Sequence, residues 1–203
     1  MNDLFSSCPA PNVLPYDGMS VYLGPVLAEA DAAAFFTELR DGIPWRQEEV
    51  VLFGKRILTA RKVAWFGDEP YAYAYSGSSK TALPWTDEVR DLKSRVEAAS
   101  GEVFNSCLLN FYHDGKDGMG GHSDDERTLE PEAAIASVSL GACRKFRFKH
   151  KRTGETVSLM LENGSLLVMK GRTQSHWLHC LPKSAVITQP RINLTFRRMR
   201  QGH

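Results

Sequence analysis

Apolar residues recur at helical spacing in two stretches of this chain. Between about Leu27 and Asp41, Ala32, Phe35, Phe36 and Leu39 fall on one stripe, and Gly42 can close the helix. From about Asp87 to Ala99 the stripe is Val89, Leu92 and Val96; Thr86 is placed to cap its start and Gly101 follows its end. From Phe104 onward the period shortens to two, with short strands predicted over 104–112, 135–140, 144–149, 156–161, 165–169, 176–181 and 191–197. Ahead of them, Glu49–Lys55 reads as a strand entering a tight turn with Phe53 and Gly54 near its tip. Residues 1–20, rich in Pro, Ser and Asn, read as an irregular arm. Helices followed by seven strands predict a mainly β, α+β fold, namely a two-layer sandwich, jelly roll or related barrel with flanking helices. Residues 1–100 then form an N-terminal part and residues 101–203 the β core, packed as one unit.

Composition changes this picture little. The 203 residues, 42% hydrophobic and 24% charged, are those of an ordinary globular protein. No apolar run approaches the roughly 20 residues needed to cross a bilayer. With no basic and apolar leader pattern at the start, an intracellular setting without membrane contact is expected. Cys8, Cys107, Cys143 and Cys180 form no C-x-x-C pair, so free, mostly buried thiols are expected. The net charge of +1 conceals a gradient: residues 1–45 carry a balance of −5, which leaves +6 for the rest. A basic body is compatible with a polyanionic partner.

The strongest chemical signal is His122-x-Asp124, directly after the glycine-rich stretch Asp114–Gly121, with a further histidine available downstream in His176-Trp-Leu-His179. Two histidines and one carboxylate on one face of a metal leave three positions open, as in non-haem Fe(II) oxygenases. Alone, the H-x-D pair has little specificity, because histidines near aspartates are common on surfaces. A calcium loop in 114–121 is disfavoured, since the D-x-[DN]-x-[DN]-G pattern is not met. In Arg191-Ile-Asn-Leu-Thr-Phe-Arg197, strand alternation puts Arg191, Asn193, Thr195 and Arg197 on one face; Asn110 and Tyr112 share a face in the same way. Pattern alone fits an edge strand with one wet face. Two separated guanidinium forks with neutral donors between them also suit an anionic diacid.

Taken together, N-x-Y, H-x-D, a distal His and R-x-N-x-T-F-R, in this order from about Val50 to Arg198, resemble the AlkB family of nucleic-acid dealkylases, most closely its DNA-acting branch. The resemblance implies a double-stranded β-helix core and a part before residue 100 that carries lid hairpins for recognising a nucleotide. It implies Fe(II) on His122, Asp124 and His179, rather than His176. The co-substrate 2-oxoglutarate would be held by Arg191 and Arg197 with Asn193, Thr195, Asn110 and Tyr112, and O2 would be consumed. The implied reaction is oxidative removal of the methyl of 1-methyladenine or 3-methylcytosine, with release of succinate, CO2 and formaldehyde.

Substrate residues follow from the same resemblance. Tyr71, Tyr73 and Tyr75 alternate with alanines and share a face if extended; they can be packing residues or a stacking platform for an unstacked base. In similar proteins the positions of Tyr75 and His122 sandwich the base, Tyr73 bonds nearby, Asp125 and Glu126 read the base, and Arg61 matches a neighbouring pocket position. Phe53 can pack under a loop or act as a wedge filling the gap left by a flipped base. Six of the nine residues Arg144–Arg152 are Lys or Arg, which reads either as a solvated strand face or as a phosphate track.

One departure stands out. Duplex-acting relatives follow the third ligand with a basic cluster, whereas Leu181-Pro-Lys-Ser-Ala185 offers Lys183 alone. Double- and single-stranded alkylated DNA, and RNA, all stay open as partners. A monomer is expected, cytoplasmic in a bacterium or nuclear in a eukaryote. The alternatives are a 2-oxoglutarate oxygenase acting on RNA, protein or a small molecule, and a non-catalytic nucleic-acid-binding module with a vestigial metal site.

Overall fold

Alternation along one strand organises the molecule. In the computed structural model, which describes residues 10–52, 55–75 and 78–200, β13 (Arg191–Arg197) lies at the centre of a seven-stranded antiparallel sheet. Its neighbours are β6 (Ser106–Tyr112) and β8 (Ile135–Gly141). Beyond β8 come β11 (Ser165–Lys170) and β1 (Met19–Pro25); beyond β6 come β3 (Lys55–Gly67) and β2 (Arg46–Leu52). Six of the seven residues of β13 are buried, so the strand is an interior one with both faces covered, and not a wet edge.

One face of that sheet is covered by helices. Helix α1 (Glu29–Gly42) buries Ala32, Phe35 and Leu39, and α2 (Asp87–Ser100) buries Val89, Leu92 and Val96. Both stripes pack into one cluster with Ile192, Leu194 and Phe196 of β13, Val138 and Leu140 of β8, and Cys107 and Leu109 of β6. Thr86 caps α2 by accepting the Val89 N–H, and Gly101 ends it in the left-handed conformation at φ +69°. Helix α1 runs one residue further than expected: Gly42 is still helical, and Ile43 turns extended while its N–H bonds the Leu39 carbonyl.

The other face meets a smaller sheet ordered β10 (Thr156–Leu161), β9 (Arg144–His150), β12 (Trp177–Leu181) and β7 (Met119–His122). Phe146, Phe148, Leu161, Trp177 and Leu181 from this sheet interdigitate with Tyr112, Ile135, Leu167 and Met169 of the large one. This is a jelly-roll core. A further hairpin of β4 (Ala72–Tyr75) and β5 (Ser78–Thr81) stands apart from both sheets, and a short helix α3 (Thr173–His176) precedes β12.

Three expectations change. The arm expected over residues 1–20 gives way at Met19 to β1, which pairs with β11. The glycine-rich stretch contains β7, too short and too poor in side chains to show a period. The large sheet also crosses residue 100, taking β1–β3 from the N-terminal part and four strands from the rest. Of the described cysteines Cys107 is buried, Cys180 half-buried and Cys143 exposed, all unpaired. No helix among the described residues is long and apolar enough to cross a membrane.

Leu194 is fully buried between sheet and helices, so Leu194→Ala should cost about 2–5 kcal/mol in urea unfolding. Val103→Ala, at a residue 68% exposed, should change the midpoint little.

Candidate metal centre

Strand pairing assembles the ligands. β12 runs antiparallel to β7 and places His179 directly opposite His122, with ring centroids 4.3 Å apart. Asp124 follows β7 by two residues, and its N–H donates to Gln174 Oε1 at 2.9 Å. The ligand atoms of His122, Asp124 and His179 all lie within 4.8 Å of one another.

A second cluster, Asp17, His150 and His176, meets the same distance test, and proton placement separates the two. His122 Nδ1 lies 2.9 Å from the Gly120 carbonyl, which can only accept, so Nδ1 carries the proton and Nε2 presents a lone pair. In His150, Nδ1 accepts the backbone N–H of Thr153 at 3.1 Å. Its proton therefore resides on Nε2, which lies 3.3 Å from Asp17 Oδ2 but has no hydrogen-bond partner. In this tautomer Nε2 has no lone pair to offer a metal. His176 stacks against His150 and takes no part in the first cluster.

The electrostatics suit a divalent cation. Burial pushes the pKa of His179 down to about 4, against a smaller pull upward from Asp124, so its imidazole is neutral at ordinary pH. Burial acts to raise Asp124, but the Arg197 guanidinium, bonded at 2.9 Å, and the two imidazoles outweigh it and hold the carboxyl below its usual range. Asp124 is thus a carboxylate ready to bind metal.

Beside the triad, a narrow cavity of about 50 Å³ lies between the sheets. Its wall includes all three metal candidates and all six residues predicted to hold the co-substrate. Register explains why: Arg191 pairs with Tyr112, and Asn193 with Asn110, so both strands turn these side chains inward together. Arg191 Nη2 donates to Ser139 Oγ at 2.8 Å and to Asn193 Oδ1 at 2.7 Å; Asn193 Nδ2 donates to Thr195 Oγ1 at 2.9 Å. Burial lowers the Arg191 pKa to about 10, with Tyr112 pulling it upward and Arg144 pushing it further down. The Nε atoms of both Arg191 and Arg197 are buried without a partner. Two unsatisfied guanidinium edges on one cavity fit a dicarboxylate.

The loops at the cavity end are fastened by Arg144. This buried guanidinium donates to the carbonyls of Asp114, Asp117 and Pro182 at 3.1, 2.9 and 2.9 Å. Gly115 makes the approach feasible: its N–H bonds the Ile187 carbonyl at 2.8 Å, and a Cβ there would strike the carbonyls of Ser184 and Ile187.

Comparison with known proteins gives the family. The profile of the 2OG-Fe(II) oxygenase superfamily matches residues 18–197. DNA oxidative demethylase ALKBH2 of Mus musculus is 40% identical over 194 residues, covering 90% of this chain and 81% of that protein. Its Homo sapiens counterpart is 38% identical, covering 90% and 74%. The chain belongs to the AlkB family of 2OG-Fe(II) oxygenases. A second AlkB-family protein, alpha-ketoglutarate-dependent dioxygenase alkB homolog 3 of Mus musculus, is 39% identical over 84% of this chain and 62% of its own length. The solved structure OsALKBH1 shares the fold at a TM-score of 0.60 and 17% identity, over 88% of this chain and 97% of that one.

The AlkB-type substrate residues are placed less uniformly. Exposed Asp125 and half-buried Glu126 line a second cavity of about 360 Å³, which borders the triad through Asp124 and Arg197. Burial raises the Glu126 pKa, with Arg197 opposing and Asp124 adding to it, and Glu126 Oε2 is buried without a partner. Arg61 is 7% exposed, donates to Asn110 Oδ1 at 2.7 Å, lies 3.7 Å from Met119 Sδ and pairs with Glu48, so its head reaches the wall of the co-substrate cavity. Tyr73 and Tyr75 are described as backbone of β4 alone, and Phe53 lies outside the described residues.

Sequence reasoning missed Gln174, Arg144 and the serines. Ser137 and Ser139 alternate in β8 and could have been found by the same period-two reading as Asn193. Nothing local marked Gln174, and Arg144 stood out only as the first cation of the basic run Arg144–Arg152, although it is buried.

His179 is neutral down to about pH 4 when folded and titrates near its ordinary 6.5 when unfolded. The unfolded chain therefore binds the extra proton first, and the metal-free protein should lose stability as pH falls from about 6.5 to 4. Thermal melts of metal-free protein should show His179→Gln flattening that decline.

Proposed function

We propose that this chain is a DNA oxidative demethylase that removes N-alkyl groups such as the methyl of 1-methyladenine or 3-methylcytosine. One observation carries the reading: His122, Asp124 and His179 converge beside a cavity whose two arginines have unsatisfied edges. The relatives named as DNA oxidative demethylases, at 38–40% identity over 90% of the chain, support the choice of DNA.

Bound Fe(II), with 2-oxoglutarate and O2, supplies the oxidation that hydroxylates an N-alkyl carbon while the co-substrate becomes succinate and CO2. The protein supplies placement. His122 and His179 would hold the ion through ring nitrogens and Asp124 through a carboxylate oxygen, a ligand set that suits Fe(II) with positions to spare for co-substrate and O2. Arg191 fixes the distal carboxylate, and the Ser139–Asn193–Thr195 chain keeps that guanidinium in one orientation. Asp125 and Glu126 lie where a cationic methylated base would be attracted. The hydroxylated product collapses to formaldehyde and the repaired base.

Single-stranded DNA or RNA is the second reading, favoured by the single base, Lys183, after β12. The proposal carries with it a monomer working inside the cell, in the cytoplasm of a bacterium or the nucleus of a eukaryote.

Purified protein with Fe(II), ascorbate and 2-oxoglutarate should release formaldehyde from an oligonucleotide carrying 1-methyladenine or 3-methylcytosine, and His122→Ala should abolish it. Succinate formation indifferent to every methylated oligonucleotide would sink the DNA reading and point to a protein or small molecule. Arg191→Ala should raise the KM for 2-oxoglutarate by about two orders of magnitude, since a buried charge loses its partner. Arg191→Lys should recover little, for want of the planar fork.

A further inference from the structure

One cation of the basic run has a different place from its neighbours. Lys145, Arg147 and Lys149 of β9 point outward and are exposed. Lys151, just past the strand, turns back onto the loop that carries the metal ligands. Its backbone N–H donates to the His176 carbonyl at 2.8 Å, which fixes the root of the side chain. At the far end Nζ donates to the Gln174 carbonyl at 2.8 Å and to Ser123 Oγ at 3.0 Å. Ser123 has a single hydroxyl proton, and it goes to Asp125 Oδ2 at 3.0 Å. Lys151 Nζ itself stands 3.8 Å from that same oxygen. Lysine, serine and aspartate therefore form a relay with one direction, from cation to anion.

Fastening the loop does not require a charge. Both acceptors of Nζ are neutral, a carbonyl and a hydroxyl, and an amide N–H would satisfy either. What the ammonium adds is a positive charge beside Asp125. The three successive acids of the loop are countered unequally. Asp124 bonds Arg197 at 2.9 Å, and Arg197 also acts on Glu126, opposing the rise in pKa that burial causes there. Among the described residues Lys151 is the one cation paired with Asp125. Asp125 is also the most exposed of the three, its Oδ1 accepts no hydrogen bond among the described residues, and it lines the cavity of about 360 Å³.

We infer that Lys151 sets the charge selectivity of this cavity: by partly cancelling Asp125 it restrains the preference for cationic over neutral N-methylated bases. The inference rests on the proposed function for its substrate class. Cytosine methylated at N3 is a cation at neutral pH, whereas thymine methylated at N3 is uncharged. An unopposed Asp125 attracts the first and does little for the second. With Lys151 beside Oδ2, the cationic base meets a charge pair in place of a bare carboxylate. The side chains of Lys151 and Asp125 are 32% and 65% exposed, so solvent screens the pair and keeps the effect modest. Lys151 needs no contact with the base for this; it acts through Asp125.

The experiment compares two single-stranded oligonucleotides that differ in one base, 3-methylcytosine or 3-methylthymine. Contacts to the phosphate backbone are common to both and cancel in the ratio of their dissociation constants. Binding is measured on the full chain with Fe(II) and 2-oxoglutarate in the absence of O2, and kcat/KM after O2 is admitted. Lys151→Gln should tighten binding of the 3-methylcytosine strand by about two- to fivefold relative to the 3-methylthymine strand, the range for breaking an exposed charge pair. Its kcat/KM should rise in step, through KM. Lys151→Met, which is neutral and has no donor, should give the same ratio, whereas Lys151→Arg, which keeps the charge, should give the wild-type ratio. Asp125→Asn should move the ratio in the opposite sense, and adding Lys151→Gln to it should move the ratio little further. Partial unfolding weakens both strands alike and leaves the ratio untouched.

An equal change for both strands makes Lys151 a fastening of the loop and nothing more, and overturns the inference. So does a shift that survives undiminished in Asp125→Asn, or one reproduced by Arg152→Gln at the exposed cation next to it. If the wild type demethylates neither strand but the binding ratio moves as stated, the proposed function fails and the inference stands. Demethylation of both strands with an unmoved ratio gives the reverse.

Discussion

Positive charge buried inside a β-sandwich is the constraint around which this protein is arranged. Arg144, Arg191 and Arg197 all project between or behind the two sheets, where burial works against each guanidinium. The three are compensated differently. Arg197 bonds Asp124, and with Glu126 nearby its pKa stands above the ordinary arginine value although burial opposes this. Arg144 is satisfied by carbonyls. Arg191 has neutral partners and the face of Tyr112, 5.5 Å from its guanidinium carbon, and it keeps a bare Nε. A site left electrostatically short of an anion binds one well, because the field is already in place when the ligand arrives.

The metal centre and the co-substrate cavity are one electrostatic unit. Asp124 serves the triad through one oxygen and Arg197 through the other, which lies 2.9 Å from that guanidinium. A change at either residue must reach both functions, so effects on metal affinity and on co-substrate affinity should prove non-additive. Arg61 extends the unit to β2 by linking Asn110 on the cavity wall to Glu48.

Much of this was legible in the sequence because the informative residues lie on strands, where a period of two sorts side chains without any knowledge of topology. The inward set of β13 and the pair Asn110 and Tyr112 could be read in this way, and so could the two helices and the outward cations of β9. Three things could not. β1 lies in a stretch whose Pro and Gly mask its pairing with β11, and β7 is nearly all backbone. Arg61 matched a pocket position by resemblance alone, and it is the register of β2, β3 and β6 that puts its head between Glu48 and Asn110. The choice between His176 and His179 needed family resemblance at first; the pairing of β12 with β7 decides it physically, by facing His179 to His122.

The bonds of Arg144 reach past the site they support. Its donors join the segment before β7 to the segment after β12, so the two stretches that flank the first and third metal ligands behave as one rigid clasp. A length change in either segment alone would pull carbonyls away from a buried cation. Such insertions should be accepted in matched pairs or not at all, which makes the spacing from Asp114 to His122 and from His179 to Ile187 a single inherited dimension of the enzyme.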